Sequence, residues 1–182
     1  RPPPPPAPCP RPPLAHPRPS PSPSRRLCSE WGDTGPVALK GVASGEDAKR
    51  AMETGFGAVW VSNHGGRQLE DSVATFDVLP EVRKAVGPDV EVILDGGVRR
   101  GIDVVKAIAR GADSVACGRA YLFGLAAGGF NGVDKSLSLL SRDLYLAMGL
   151  LGCRTVAELK EKAPLALKKA DPWGEQFPGK SM

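Results

Sequence analysis

Ala58-Val59-Trp60-Val61 runs without a break into Ser62-Asn63-His64-Gly65-Gly66-Arg67-Gln68. Four apolar residues are too few for a helix and read as a buried strand of a parallel sheet. The polar, glycine-bearing residues after them stand at that strand's C-terminal end, where parallel α/β folds place their sites. This stretch predicts an α/β architecture and puts the chemistry on one rim of it.

Working outward, Val37 to Leu39, Val90 to Leu94 and Ser114 to Cys117 are further short apolar runs with the same reading. Between the first two strands, Ser44 followed by Asp47 forms a capping-box pattern that opens a helix closing near Gly55. Phe76 to Val86 reads as a second helix, stopped by Gly87 and Pro88. Ile102, Val105 and Ile108 or Ala109 share one face of a third, which Gly111 ends. Consecutive strand-helix units predict parallel strands with right-handed crossovers, in an open doubly wound sheet or a barrel. Periodicity does not choose between the two.

Beyond the fourth strand, Val133, Leu137, Leu140, Leu144, Met148 and Leu151 make a long helical stripe expected to face the core. A short helix capped at Thr155, with Glu158 three residues on, leads to a polar segment, residues 161–182, expected to be a surface tail. At the other end, 13 of the 19 prolines lie between Pro2 and Pro23, and no acidic residue precedes Glu30. Residues 1–30, rich in Pro, Arg and Ser, have few side chains able to form a core and are expected to be disordered. The absence of acids matches organelle transit peptides, but no amphipathic pattern accompanies it. PxxP spacing arises automatically in such a tract, so a proline-binding partner is not singled out.

The balance of 24 basic against 20 acidic residues gives a net charge of +4, too mild to argue for nucleic acid. No apolar run approaches the roughly 20 residues that cross a bilayer, so a soluble chain without a transmembrane segment is expected. Cys9, Cys28, Cys117 and Cys153 form no CxxC pair, which points to neither a metal site nor a disulfide framework.

Within the strand-end loop, His64 is the only histidine of the folded part and lies three residues from Arg67. An imidazole accepts a proton near neutral pH, and a guanidinium grips a carboxylate through two parallel hydrogen bonds. The pair suits a small anionic substrate that must lose a proton; a polar loop with an incidental histidine is the plainer alternative. After the third strand stands Asp95-Gly96-Gly97-Val98-Arg99-Arg100-Gly101, and after the fourth Gly118-Arg119. Glycines beside arginines at adjacent strand ends, each before a helix N-terminus, make a backbone nest for phosphate. Lys40, ending the first strand before Gly41, is either a solvated rim residue or a fixed charge against a cofactor.

These residues, in this order, resemble the FMN-dependent 2-hydroxy-acid oxidases and dehydrogenases, which include glycolate oxidase, lactate oxidase and mandelate dehydrogenase. The likeness runs from about Val37 to Lys160 and rests on Leu39-Lys40-Gly41, on Val61 to Leu69, and on Leu94 to Gly101 with Gly118-Arg119. The resemblance implies an eight-stranded (β/α) barrel, of which residues 36–160 would be the second half, about four β/α units. It implies that His64 is the catalytic base and Arg67 the carboxylate clamp. It also implies FMN held by Lys40, Ser62, Asp95, Gly96, Gly97, Arg99, Gly118 and Arg119. The implied reaction oxidises an L-2-hydroxy acid of the lactate or glycolate type to the 2-oxo acid, with oxygen, a cytochrome or a quinone as electron acceptor.

The first four strands of such a barrel have no counterpart here. The isolated chain is accordingly expected to be inactive, or to act as a half-barrel that associates with itself or another chain, since four strands leave two open edges. Another FMN- or phosphate-binding barrel enzyme is the rival reading. Compartment stays open among mitochondrion, plastid, peroxisome and cytoplasm; Lys180-Ser181-Met182 does not match a Ser-Lys-Leu ending.

Overall fold

The computed structural model describes residues 22–167. Four strands, β1 (Ala38–Val42), β2 (Ala58–Val61), β3 (Glu91–Leu94) and β4 (Ser114–Val115), pair in parallel in the order in which they occur. The helix α2 (Gly45–Thr54) joins β1 to β2, α3 (Thr75–Val86) joins β2 to β3, and α4 (Gly101–Ala109) joins β3 to β4. Among the described residues the sheet order does not reverse, so no switch point of a doubly wound fold falls within these four strands.

The predicted punctuation explains the elements. Ser44 Oγ accepts from the Asp47 N–H at 3.1 Å, and Gly55 closes α2 at a φ of 108°, which an L-residue adopts only under strain. Gly87 ends α3, its N–H bonded to the Arg83 carbonyl. Along the strands, Val59, Val61, Val92 and Leu94 point to one face, where they are buried with Ala48, Ala51, Leu79 and Val82 of α2 and α3. Each fully buried Val or Leu contributes roughly 1.5–3 kcal/mol. The alternate residues Trp60 and Ile93 are half-buried and belong to neither apolar cluster.

A second cluster joins Val104, Val105 and Ile108 of α4 to Met148 of α5 (Arg119–Leu150) and to Leu159 and Ala163 of α6 (Val156–Ala166). At the pole opposite the strand-end loops, Arg83 donates to the carbonyls of Gly87 (2.8 Å), Val90 (2.7 Å) and Gly111 (2.8 Å) and pairs with Asp113. Asp113 also accepts from Lys160 Nζ (2.6 Å) and the Val92 N–H (2.8 Å). Partial burial opposes ionisation of this carboxyl, but the Lys160 and Val92 hydrogen bonds and the Arg83 charge outweigh it and hold the pKa below the ordinary aspartate value.

The structure corrects four expectations. Residues 1–30 are not structureless throughout: α1 (Pro23–Trp31) is a helix, and residues 1–21 lie outside the described part. Ser22 caps α1, Pro23 occupies a first-turn position that needs no N–H, and half-buried Cys28 docks on the first cluster. The segment from residue 161 is not all tail, because α6 continues to Ala166 and buries Ala163 beside Leu159. The stripe on α5 faces the core only from Leu140 onward; the helix breaks at Gly128 and Gly129, and Leu137 is exposed. Finally, β1 does not end at Lys40. It continues through an irregularity between Lys40 and Val42, which leaves Gly41 without a partner on β2.

Candidate functional site

The polar residues at the C-terminal ends of the strands meet at one end of the sheet. Lys40 Nζ donates to Ser62 Oγ at 2.9 Å and pairs with Asp95 Oδ2 at 3.0 Å, so residues from the ends of β1, β2 and β3 share one polar cluster. The ammonium also lies 5.2 Å from the Trp60 ring centroid, an added attraction for a cation over the ring. Ser62 is buried, and its Oγ also accepts the N–H of His64 at 3.2 Å. One hydroxyl thus anchors both the lysine and the histidine loop.

That loop is tightly wound. His64, Gly65 and Gly66 have φ of 56°, 70° and 70°. A histidine at positive φ costs energy, of order 1–3 kcal/mol, and persists only where its surroundings over-determine it. Here they do: Asn63 Oδ1 accepts from Gly65 N–H (3.1 Å), Gly66 N–H bonds to the Asn63 carbonyl (3.0 Å), and Asn63 Nδ2 donates to Val73 O (3.3 Å). From the fourth strand end, Arg119 donates to the Gly65 carbonyl at 3.2 Å.

The Asp95-Gly96-Gly97 turn is held from below. Buried Thr75 donates to the Asp95 carbonyl at 2.6 Å, and a Cβ at Gly96 would stand 2.6 Å from Thr75 Oγ1. Gly96 and Gly97 have φ of 100° and 79°, and a Cβ at Gly97 or Gly118 would meet nothing within 4 Å. Gly97 and Gly118 present open backbone, whereas Gly96 is packed against Thr75.

Lys40, Ser62 and Asp95 are therefore in contact, His64 joins them through Ser62, and Arg119 reaches the histidine loop. Arg67 and Arg99 are exposed, and neither side chain makes a hydrogen bond or ion pair among the described residues. Asn63 and Thr75, which brace the loops, were not singled out from sequence. Thr75, the first residue of α3, carried no signal, because a threonine opening a helix reads simply as a capping residue. Among the described residues no group of His, Cys, Asp or Glu is placed to hold a metal ion.

The model of the FMN-dependent dehydrogenase family matches residues 14–165. The L-lactate oxidase of Nostoc sp. is 51% identical over 124 residues, 68% of this chain and 34% of its own length. The 2-hydroxyacid oxidase 1 of Mus musculus is 49% identical over 138 residues, 74% of this chain and 37% of its own length. Among solved structures, a lactate oxidase of Pediococcus acidilactici superposes with a TM-score of 0.72 at 44% identity, covering 76% of this chain and 38% of that one. A mandelate oxidase crystallised with (S)-4-hydroxymandelic acid gives 0.72 at 43% identity, covering 75% and 38%. The chain spans little more than a third of the length of these relatives. By the match over most of its residues, this chain belongs to the FMN-dependent dehydrogenase family.

Proposed function

We propose that the chain carries the C-terminal half of a (β/α) barrel that binds FMN and oxidises an L-2-hydroxy acid to a 2-oxo acid. The observation that carries this reading is the contact of Lys40, Ser62 and Asp95 beside the His64 loop, at one end of consecutive parallel strands. The unreversed strand order supports an arc of a barrel. So does the face bearing Trp60 and Ile93, which lies outside the helix-covered cluster.

The donor set fits FMN. The open backbone at Gly97 and Gly118, with Gly96 allowing the tight turn and Arg99 and Arg119 beside them, suits its phosphate. Asp95 would bind the ribityl hydroxyls, and Lys40 and Ser62 would lie against the ring, where the ammonium favours added negative charge. Bound FMN would supply the two-electron oxidation. His64 accepts the proton the substrate loses, and Arg67, whose side chain has no partner among the described residues, holds the substrate carboxylate. Several relatives are named oxidases, which favours oxygen as acceptor.

Because these 182 residues hold about four of the eight β/α units this reading requires, a polypeptide of this sequence alone is predicted not to turn over lactate or glycolate. Its phosphate cradle still discriminates: FMN should bind at least about tenfold more tightly than riboflavin, which lacks the phosphate, in a fluorescence titration. Equal affinities, or turnover of lactate by the chain alone, would contradict the proposal.

A second reading is favoured by the exposed apolar residues of α5. Phe123 is 70% exposed, Phe130 84% and Leu150 90%, while among the described residues β1 and β4 each have one unpaired edge. On this reading the chain works in association with another chain or a second copy. Light scattering decides: a stable monomer at tens of micromolar speaks against it.

A further inference from the structure

We infer that Gly41 is a positioning residue for His64, and that the irregularity in β1 exists to provide it. Lys40 pairs with Trp60 and Val42 with Val61, so Gly41 is the extra residue of a bulge, at a φ of 99°. A bulge reverses the alternation of a strand. Leu39 packs on the helix-side cluster and Val42 is buried in it, although an unbroken strand would send residues 39 and 42 to opposite faces. Lys40, just before the bulge and alternating with Leu39, reaches Ser62 and Asp95 from the other face.

The residue at the bulge faces the histidine. A Cβ on Gly41 would stand 3.0 Å from His64 Cε1, 3.8 Å from Nε2 and 3.9 Å from Nδ1. The ring lies over a site that only glycine leaves clear. The main chain of His64 is held by Ser62 Oγ at a positive φ, so the backbone stays in place and a methyl on Gly41 would make the exposed ring turn aside about its own side-chain bonds. Three features of the strand thus converge on one ring: the bulge, the positive φ and the missing Cβ. That this orientation serves proton transfer rests on the function proposed above; the geometry does not.

The test is a cycle of G41A, H64A and the double variant in the full 182-residue chain, which involves neither flavin nor substrate. In ring-selective NMR the chain shows two histidine Cε1–Hε1 signals, and that of His16 serves as internal reference. G41A should shift the His64 signal and lower the urea midpoint by clearly more in the His64 background than in H64A, where the added methyl has room. An unmoved His64 signal, or equal midpoint losses in both backgrounds, would overturn the inference and leave Gly41 a purely backbone role. G41N carries the same Cβ but tolerates positive φ better, and covers the case in which G41A does not fold. If both variants unfold with His64 present yet fold with H64A, the inference stands; if they unfold in both backgrounds, it fails.

Discussion

Ser62 brings Lys40 and His64 together through one buried oxygen, so its removal should be felt twice. S62A deprives the Lys40 ammonium and the His64 N–H of their acceptor and should lower stability by about 1–3 kcal/mol in urea unfolding. It should also loosen FMN, measured by fluorescence titration. An S62A chain with unchanged stability would show that the two bonds are not made in solution. Asp113 tests the opposite pole. Its folded pKa is depressed, so its stabilisation is present above the unfolded value, near 3.9, and is lost as pH falls through the folded value. D113N should flatten that acid part of the stability profile. It should also cost about 1–3 kcal/mol at neutral pH by leaving Arg83 without its carboxylate. A D113N profile parallel to the parent's in acid would contradict the assignment. At this scale the strand-end residues Lys40, Ser62, His64 and Asp95 were legible because a polar residue straight after an apolar run announces itself. Gly41, Asn63 and Thr75 were not, because their roles depend on atoms brought near by folding.

Among the elements, the period-based readings of α2, α3 and α4 agree with the structure because caps and glycine stops coincide with the apolar pattern. The errors arose where composition spoke louder than pattern. Proline content masked α1, which needs only the Ser22 cap, Pro23 in its first turn and one docked side chain, Cys28. The charges of Glu161 and Lys162 masked the last turns of α6, whose Leu159 and Ala163 are buried four residues apart on one face. L159A should therefore cost about 2–5 kcal/mol in urea unfolding, as for other buried leucines, and a loss near zero would show that α6 does not dock on α4. Gly101 makes a second element-scale case. A Cβ there would run into the backbone of Asp143 and Leu144 on α5, so G101A should abolish the cooperative unfolding transition or lower its midpoint sharply. A G101A chain as stable as the parent would show that α4 and α5 do not pack this closely.

At the scale of the described fold, the sheet order, the rim of polar loops and the family match support the account proposed above, in which this half-site would face a flavin with His64 as proton acceptor. The choice between barrel and open sheet was closed to periodicity, since both use the same strand-helix unit; the spatial order of the four described strands favours the barrel arc proposed above. The most direct measurement grafts residues 36–165 in place of the aligned segment of the Nostoc L-lactate oxidase, 51% identical over this region, and follows L-lactate oxidation. The account predicts that the graft takes up FMN and turns over, and that H64A in the graft lowers kcat by about 100- to 10,000-fold while FMN stays bound. An H64A graft that binds FMN and oxidises lactate as fast as its parent would contradict it.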